Sequence, residues 1–447
     1  MPWLTIFSFS SRPFRSIASD ESNPRSEERR NRLNNTNIIE QYDLLASVRS
    51  QPSLTVVEAQ GAGFKDDTGK EYVNLNEINR QLGYSNLHFT NVIKDCLESA
   101  APEKTSVYKN NLYHHIVEST NNDFQRILLT SSGSEAVEWA IRVARKRTGR
   151  YDIVSFWNSI HGRTYLASSV SGNPVRKTGY GPLAPGVVFA PYPYCYRCPF
   201  DETPERCNLR CLEFLKQKIT NESSQEVAAV IVEPFQGAGI IFPPDGYLKA
   251  LRTWTSQSGI ELILDEVQSG LGRLGHMYEY QRLGIVPDAL LLGKGMGNGL
   301  HISAMLLKDT PEADPRIMTG GSGDVPLSCA GACAVFEEVK KKVLLENVNQ
   351  VGAYWNESLT ELAGKYPCIG NVRGRGAAFA IELITDQETK KENNRLREKV
   401  VRQLQDHGFL PGSWRSSIVL RPPLSITLEQ AERFVWRLEQ ILEREGN

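Results

Sequence analysis

The sequence predicts an α/β protein whose main sheet is mostly parallel and covered on both faces. Seven short apolar runs carry that reading: "RILLTS", "DIVSFW", "GVVFAP", "VAAVIVEP", "ELILDE", "ALLLGK" and "ISAMLL". Most are continuous rather than alternating in polarity, as expected of strands buried on both sides. Helical patterns separate several of them, and strand–helix alternation favours a parallel sheet between helical layers.

In chain order, residues 1–36 read as a mobile tail. The first 19, "MPWLTIFSFSSRPFRSIAS", hold two arginines, five serines and no acid. That composition suits an organellar transit peptide or a frayed terminus, so a mitochondrial address stands beside a cytoplasmic one. "DESNPRSEERRNRLNNT" is polar enough for a linker. Residues 37–80 are expected to pack with the C-terminal domain, with "GFKDDTGKEYVNL" forming two strands around an Asp-Thr-Gly turn.

Residues 81–330 form the large domain of this reading. In "SEAVEWAIRVARKRTG", Ala136, Ala140, Ile141 and Ala144 share one side of a helix that stops at Gly149. "DGYLKALRTWTSQSG" repeats the pattern between the fourth and fifth strands. Residues 331–447 read as a smaller α+β domain. It holds one helix in "AVFEEVKKKVLLENV" and two strands in "GRGAAFAIEL" and "SIVLRPPLSIT". Its last helix opens with Thr427 and Gln430 at capping-box spacing and has Phe434, Leu438, Ile441 and Leu442 on one face.

Composition narrows the partners. A formal net charge of -1 provides no basic field for nucleic acid. No apolar run approaches the ~20 residues of a membrane span. Small molecules remain. Four of the eight cysteines, Cys195, Cys198, Cys207 and Cys211, cluster as C-x2-C-x8-C-x3-C. They could hold zinc, stay reduced on a loop or form a local disulfide. Without paired zinc-ribbon knuckles no metal is assigned.

Chemistry gathers where the strands end, since open α/β sheets bind ligands at the carboxyl ends of their strands. "RILLTSSGSEAVEWA" delivers a turn that opens a helix, with Gly133 allowing close approach and Ser134 adding a hydroxyl. Free backbone N–H groups there suit a phosphate monoester, although a serine at such a place is commonly only a cap. "ELILDE" ends in Asp265, a charge that needs a cation or several donors. "ALLLGKGMGNGL" ends its strand in Lys294, 29 residues on. Alone, that lysine reads as one that snorkels to water. Asp265 and Lys294 either pair directly or act separately on one ligand. A phosphorylated aldehyde with a basic ring nitrogen meets all three groups, and pyridoxal 5'-phosphate is such a molecule.

From about residue 55 onward the chain resembles the class III aminotransferases of the fold-type-I pyridoxal-phosphate enzymes. The motifs are "SSGSEAVEWAIRVAR", "HGRTY", "IVEPFQGAG", "LILDEVQSGLGRLG", "PDALLLGKG" and "LRPPL". The resemblance implies that Lys294 is the Schiff-base lysine and moves the substrate α-proton, and that Asp265 pairs with the pyridinium nitrogen. It puts Gln268 near the phenolic oxygen, Val267 on a ring face, and Gly133 and Ser134 at the phosphate. Arg421 matches the arginine that holds a substrate carboxylate, and Glu233 a glutamate near the substrate. It further implies a homodimer with shared active sites. An amino donor, expected to be an α-amino acid, and a keto acid or aldehyde acceptor would be the partners. Racemization or epimerization, decarboxylation, and a decayed binding or scaffold protein are the alternatives.

Three departures qualify the match. Ile160 stands where an aromatic residue usually precedes His-Gly; aliphatic groups, His161 or Trp157 would then serve the ring. Ala238 replaces the glutamate that pairs with the carboxylate arginine in ω-amino members, which favours α-amino acids. Gly321 occupies the place of a phosphate-contacting threonine, with Thr319 and Ser322 nearby, and "GYSNLH" replaces a His-containing stretch. The glycines after Lys294 are expected to let the cofactor approach the backbone.

Overall fold

The structure, a computed structural model, describes residues 54–99, 106–308 and 322–446. The 1–36 tail and its transit-like start lie outside them. The described chain begins with an antiparallel ribbon of β1 (Val56–Gln60), β2 (Gly63–Asp66) and β3 (Glu71–Asn74). The expected turn joins β2 to β3. Asp66 Oδ1 closes it by accepting from Thr68 N, Thr68 Oγ1 and Lys70 N. β1 was not anticipated; its burial pattern offers almost no apolar alternation.

The seven apolar runs form one sheet: β4 (Arg126–Thr130), β5 (Asp152–Phe156), β6 (Val187–Ala190), β7 (Val227–Val232), β8 (Glu261–Asp265), β9 (Ala289–Leu292) and β10 (Ser303–Leu307). Their spatial order is β4-β10-β9-β8-β7-β5-β6. β10 runs antiparallel to both neighbours and the other pairings are parallel. The continuous runs are explained by two cores. Val230, Leu264 and Leu290 join one that includes Tyr247, Leu248 and Leu251 of the helix Tyr247–Gln257. Their neighbours Ile231, Ile263 and Leu291 join the other, with Ala136, Ala140, Ile141 and Ala144 of the helix Gly133–Thr148. That helix ends on left-handed Gly149 as expected.

A further sheet orders β11 (Ile369–Arg375), β12 (Ala378–Leu383), β15 (Ser417–Leu420) and β14 (Gly412–Trp414). Between them in sequence, β13 (Phe409–Leu410) pairs parallel to β3 and completes the ribbon sheet. The helix expected over "AVFEEVKKKVLLENV" is two helices, Pro326–Lys340 and Val343–Lys365. Lys342 breaks them with φ +67. Apolar periodicity reads across the lysine run because Val339 and Val348 are both buried, and it carries no sign of a left-handed residue. In the last helix, Leu428–Glu445, both capping-box bonds form.

Among the described residues no helix is long and apolar enough to cross a membrane. The four clustered cysteines are free, and no group of three or more potential metal ligands comes together among the described residues.

Candidate active site

Lys294 leaves the end of β9 and opens a tight turn, Lys294–Gly297, with φ +46. A side-chain-bearing residue in the left-handed region is strained, and such strain is concentrated at functional sites. Among the described residues its amine makes no hydrogen bond or ion pair. Burial lowers its pKa to about 8, against the opposing pull of the Asp265 and Glu233 carboxylates.

Asp265, at the end of β8, is 5% exposed. Its Oδ2 is 2.8 Å from His161 Nδ1, and its Oδ1 accepts from Val267 N at 3.1 Å. The direct Asp265–Lys294 pair left open by the sequence is therefore not formed; the histidine takes the acid and leaves the amine free. His161 comes from the loop after β5, where its backbone N–H donates to Ser171 Oγ. Its Nε2 is buried without a partner.

On the other side of the cavity, Ser132 caps the helix Gly133–Thr148 by accepting from Glu135 N. A Cβ at Gly133 would come within 3.3 Å of both Val267 methyl groups, so glycine brings helix and valine together. Ser134 Oγ accepts from Arg163 N at 3.0 Å. Ser322 Oγ donates to Glu135 Oε2 at 2.8 Å, whereas Thr319 and Gly321 lie outside the described residues.

Arg421 follows β15. Its Nε donates to Asn76 Oδ1, and one terminal nitrogen donates to Gly237 O and Gln268 Oε1. No carboxylate pairs with it among the described residues. Burial lowers its pKa to about 10, which still leaves it cationic at neutral pH.

These groups share a cavity of about 790 Å³. Gly133, Ser134, Ile160, His161, Asp265, Val267, Gln268, Lys294 and Arg421 all line it. Glu233 does not. Its carboxylate lies buried beneath, accepting from Ile160 N, Gly237 N and Gln268 Nε2, so it braces the wall instead of facing a substrate. Burial raises its pKa. Trp157 does not line the cavity either, whereas His161 and the aliphatic Ile160 and Val267 do. The glycines after Lys294 also depart from expectation. A Cβ at Gly295 would meet Gln81 Oε1 at 2.4 Å and one at Gly297 would meet Ile302 Cγ2 at 2.9 Å. They serve packing behind the lysine and do not open room for a ligand.

Sequence reasoning missed Asn76, Arg163 and Trp414. Arg163 stood inside the quoted "HGRTY" motif, whereas Asn76 lies 345 residues from its partner Arg421 and carried no signal.

Residues 45–442 match the aminotransferase class-III family. The chain belongs to that family. It is 31% identical to a leucine/methionine racemase of Thermococcus litoralis over 91% of this chain and 95% of that protein. It is 32% identical to a diaminobutyrate--2-oxoglutarate aminotransferase of Haemophilus influenzae over 80% of this chain and 82% of that one. An amine transaminase from an uncultivated Pseudomonas species, solved in its pyridoxal-phosphate-bound form, superposes with a TM-score of 0.82. That structure shares 29% identity, over 90% of this chain and 97% of its own.

The class-III aminotransferase is an enzyme dependent on pyridoxal 5'-phosphate, and its residues fit the cofactor. A free amine of lowered pKa suits an aldehyde. A buried carboxylate held by histidine at one oxygen and by a single backbone N–H at the other keeps acceptor capacity that suits a ring nitrogen. A helix N-terminus narrowed to glycine suits a phosphate.

Proposed function

We propose that this aminotransferase takes its amino group from an α-amino acid and passes it to a keto acid or aldehyde. The observation that carries this reading is Arg421, a half-buried guanidinium in the cavity with three neutral acceptors and, among the described residues, no acid. A substrate carboxylate supplies the missing charge through charge-assisted, potentially bidentate hydrogen bonds. Ala238, which lines the same cavity, offers no carboxylate to compete.

In this reading Lys294 would hold the cofactor's aldehyde carbon, Asp265 its ring nitrogen, and Gly133 and Ser134 its phosphate. Val267 and Ile160 would contact the ring, with Gln268 near its hydroxyl. The cofactor, when bound, supplies an electron sink for the pair left at the substrate's Cα. The chain does the rest. Lys294 would take the Cα proton and deliver it to the former aldehyde carbon instead of back to Cα, Arg421 would fix the carboxylate, and His161 would hold Asp265 so that its second oxygen stays oriented. Glu233 keeps Gln268 and the Gly237 loop in place.

A second reading, racemization, is favoured by the leucine/methionine racemase of Thermococcus litoralis. One experiment separates the two. Visible absorption of the holoenzyme is followed as single α-amino acids are added without keto acid. Loss of the bound-cofactor band supports transamination and names the donor. A retained band with loss of optical rotation supports racemization.

The large domain over 81–330, the small one over 331–447 and a homodimer with shared sites belong to the same proposal. Leu87 and Leu97, 73% and 65% exposed on the helix Leu87–Ser99, support an apolar contact for a second copy. Sedimentation at twice the 50.1 kDa chain mass is expected. The address is cytoplasmic in this reading; import of a fusion carrying residues 1–36 into mitochondria would overturn it.

A further inference from the structure

The loop after β7 reads Gly237-Ala238-Gly239, and each glycine makes room for one side chain of the site. A Cβ at Gly237 would sit 1.8 Å from Gln268 Nε2. A Cβ at Gly239 would sit 2.6 Å from Trp414 Cε3 and 2.7 Å from Cζ3. The indole thus rests on the Gly239 backbone, a position closed to it if residue 239 carried a side chain. Ala238 and Trp414 both line the cavity, together with Ile78 and Ile160.

Trp414 is also held from its other end. It closes β14, and the turn into β15 passes through Arg415 at φ +48, a strained conformation for arginine. The Arg415 guanidinium lies 5.1 Å from the Trp414 ring centroid and pairs with Glu392 at 3.4 Å. Its carbonyl accepts from Arg397 Nε at 3.0 Å. A strained turn clamped at three points fixes the indole in the cavity wall. Arg421 donates to the carbonyl of Gly237, the residue before Ala238. A carboxylate on Arg421 therefore leaves the rest of the substrate beside this wall.

We propose that Trp414 and Ala238 form the surface on which the substrate's side chain packs, selecting α-amino acids with uncharged aliphatic or thioether side chains. The inference rests on the α-amino acid reading. Arg415 is engaged by Glu392 and the indole. Arg163 and Arg176 line the cavity but are exposed, where an ion pair in water contributes little.

The test uses the holoenzyme in the donor half-reaction with alanine, 2-aminobutyrate, norvaline, norleucine and methionine, beside aspartate, glutamate and lysine. kcat/KM is expected to rise about fourfold per methylene along the aliphatic series. Trp414→Ala should lose about tenfold on norleucine, mostly in KM, and about twofold on alanine; Trp414→Phe should keep the ranking. Straight-chain carboxylates without an amine should quench fluorescence of the unaltered enzyme, and that component should vanish in Trp414→Phe. A flat chain-length series overturns the proposal, as does a charged donor faster than every aliphatic one. Equal loss on all substrates in Trp414→Ala also overturns it, leaving the indole a structural part. If Trp414→Ala does not fold, the series on the unaltered enzyme and on Trp414→Phe decides alone. If no α-amino acid of any class reacts, the α-amino acid reading fails and the wall with it; a charged preference sinks the wall only.

Discussion

Lys294 and Asp265 show how a buried charge is used once it is denied the obvious partner. The acid is held by His161, and burial lowers the amine's pKa to about 8, so that it is partly neutral near physiological pH. Only the neutral amine attacks an aldehyde. The rate of cofactor capture by the apoenzyme should therefore climb roughly tenfold per pH unit below the lysine pKa, then level off above it. Stopped-flow absorbance checks this, and a rate that keeps climbing to pH 10 would place the pKa near that of an ordinary lysine. His161→Phe removes the donor from a buried carboxylate and should destabilise the fold by about 1–3 kcal/mol. Urea unfolding measures it, and an unchanged midpoint would mean water replaces the ring.

At the scale of elements, the ends of strands and helices decide which groups meet. The helix Gly133–Thr148 is a strong case because cap, apolar stripe and stop signal agree. The helix Leu428–Glu445 is another, with Thr427 and Gln430 bonded in both directions. Thr427→Ala should cost about 1 kcal/mol by leaving the Gln430 N–H without its acceptor. The urea midpoint should fall with an unchanged slope. The break at Lys342 and the strands β1, β11, β13 and β14 escaped the sequence. Each depends on a backbone turn or a distant pairing, and neither leaves a periodic trace.

Across the whole molecule, the site is assembled from ends of β8 and β9, the loop after β5, the helix after β4, and a strand of a different sheet. Arg421 reaches it from β15 and is steadied by Asn76 from the N-terminal ribbon. Arg421→Ala should lower kcat/KM for α-amino acids roughly 10- to 100-fold, the worth of a charge-assisted carboxylate contact. An amine without a carboxylate should change by only a few-fold. An equal drop on both would mean that Arg421 only supports Gly237 and Gln268.

The order of seven apolar runs, two of the helices between them and the residues at the carboxyl ends of β4, β8 and β9 were legible in the chain, whereas the helix Arg210–Glu222 was not. Burial on both faces and helix capping are local demands that leave local patterns. Those patterns, with the motifs around Lys294 and Asp265, were enough to indicate the family and its cofactor. What only tertiary structure decided are the partnerships: His161 rather than Lys294 on Asp265, Glu233 beneath the wall rather than on it, Trp414 against Gly239. Each joins residues far apart in sequence through a distance and an angle. Hydrogen bonds and van der Waals contacts act over a few ångströms of space, whatever the number of residues between the partners.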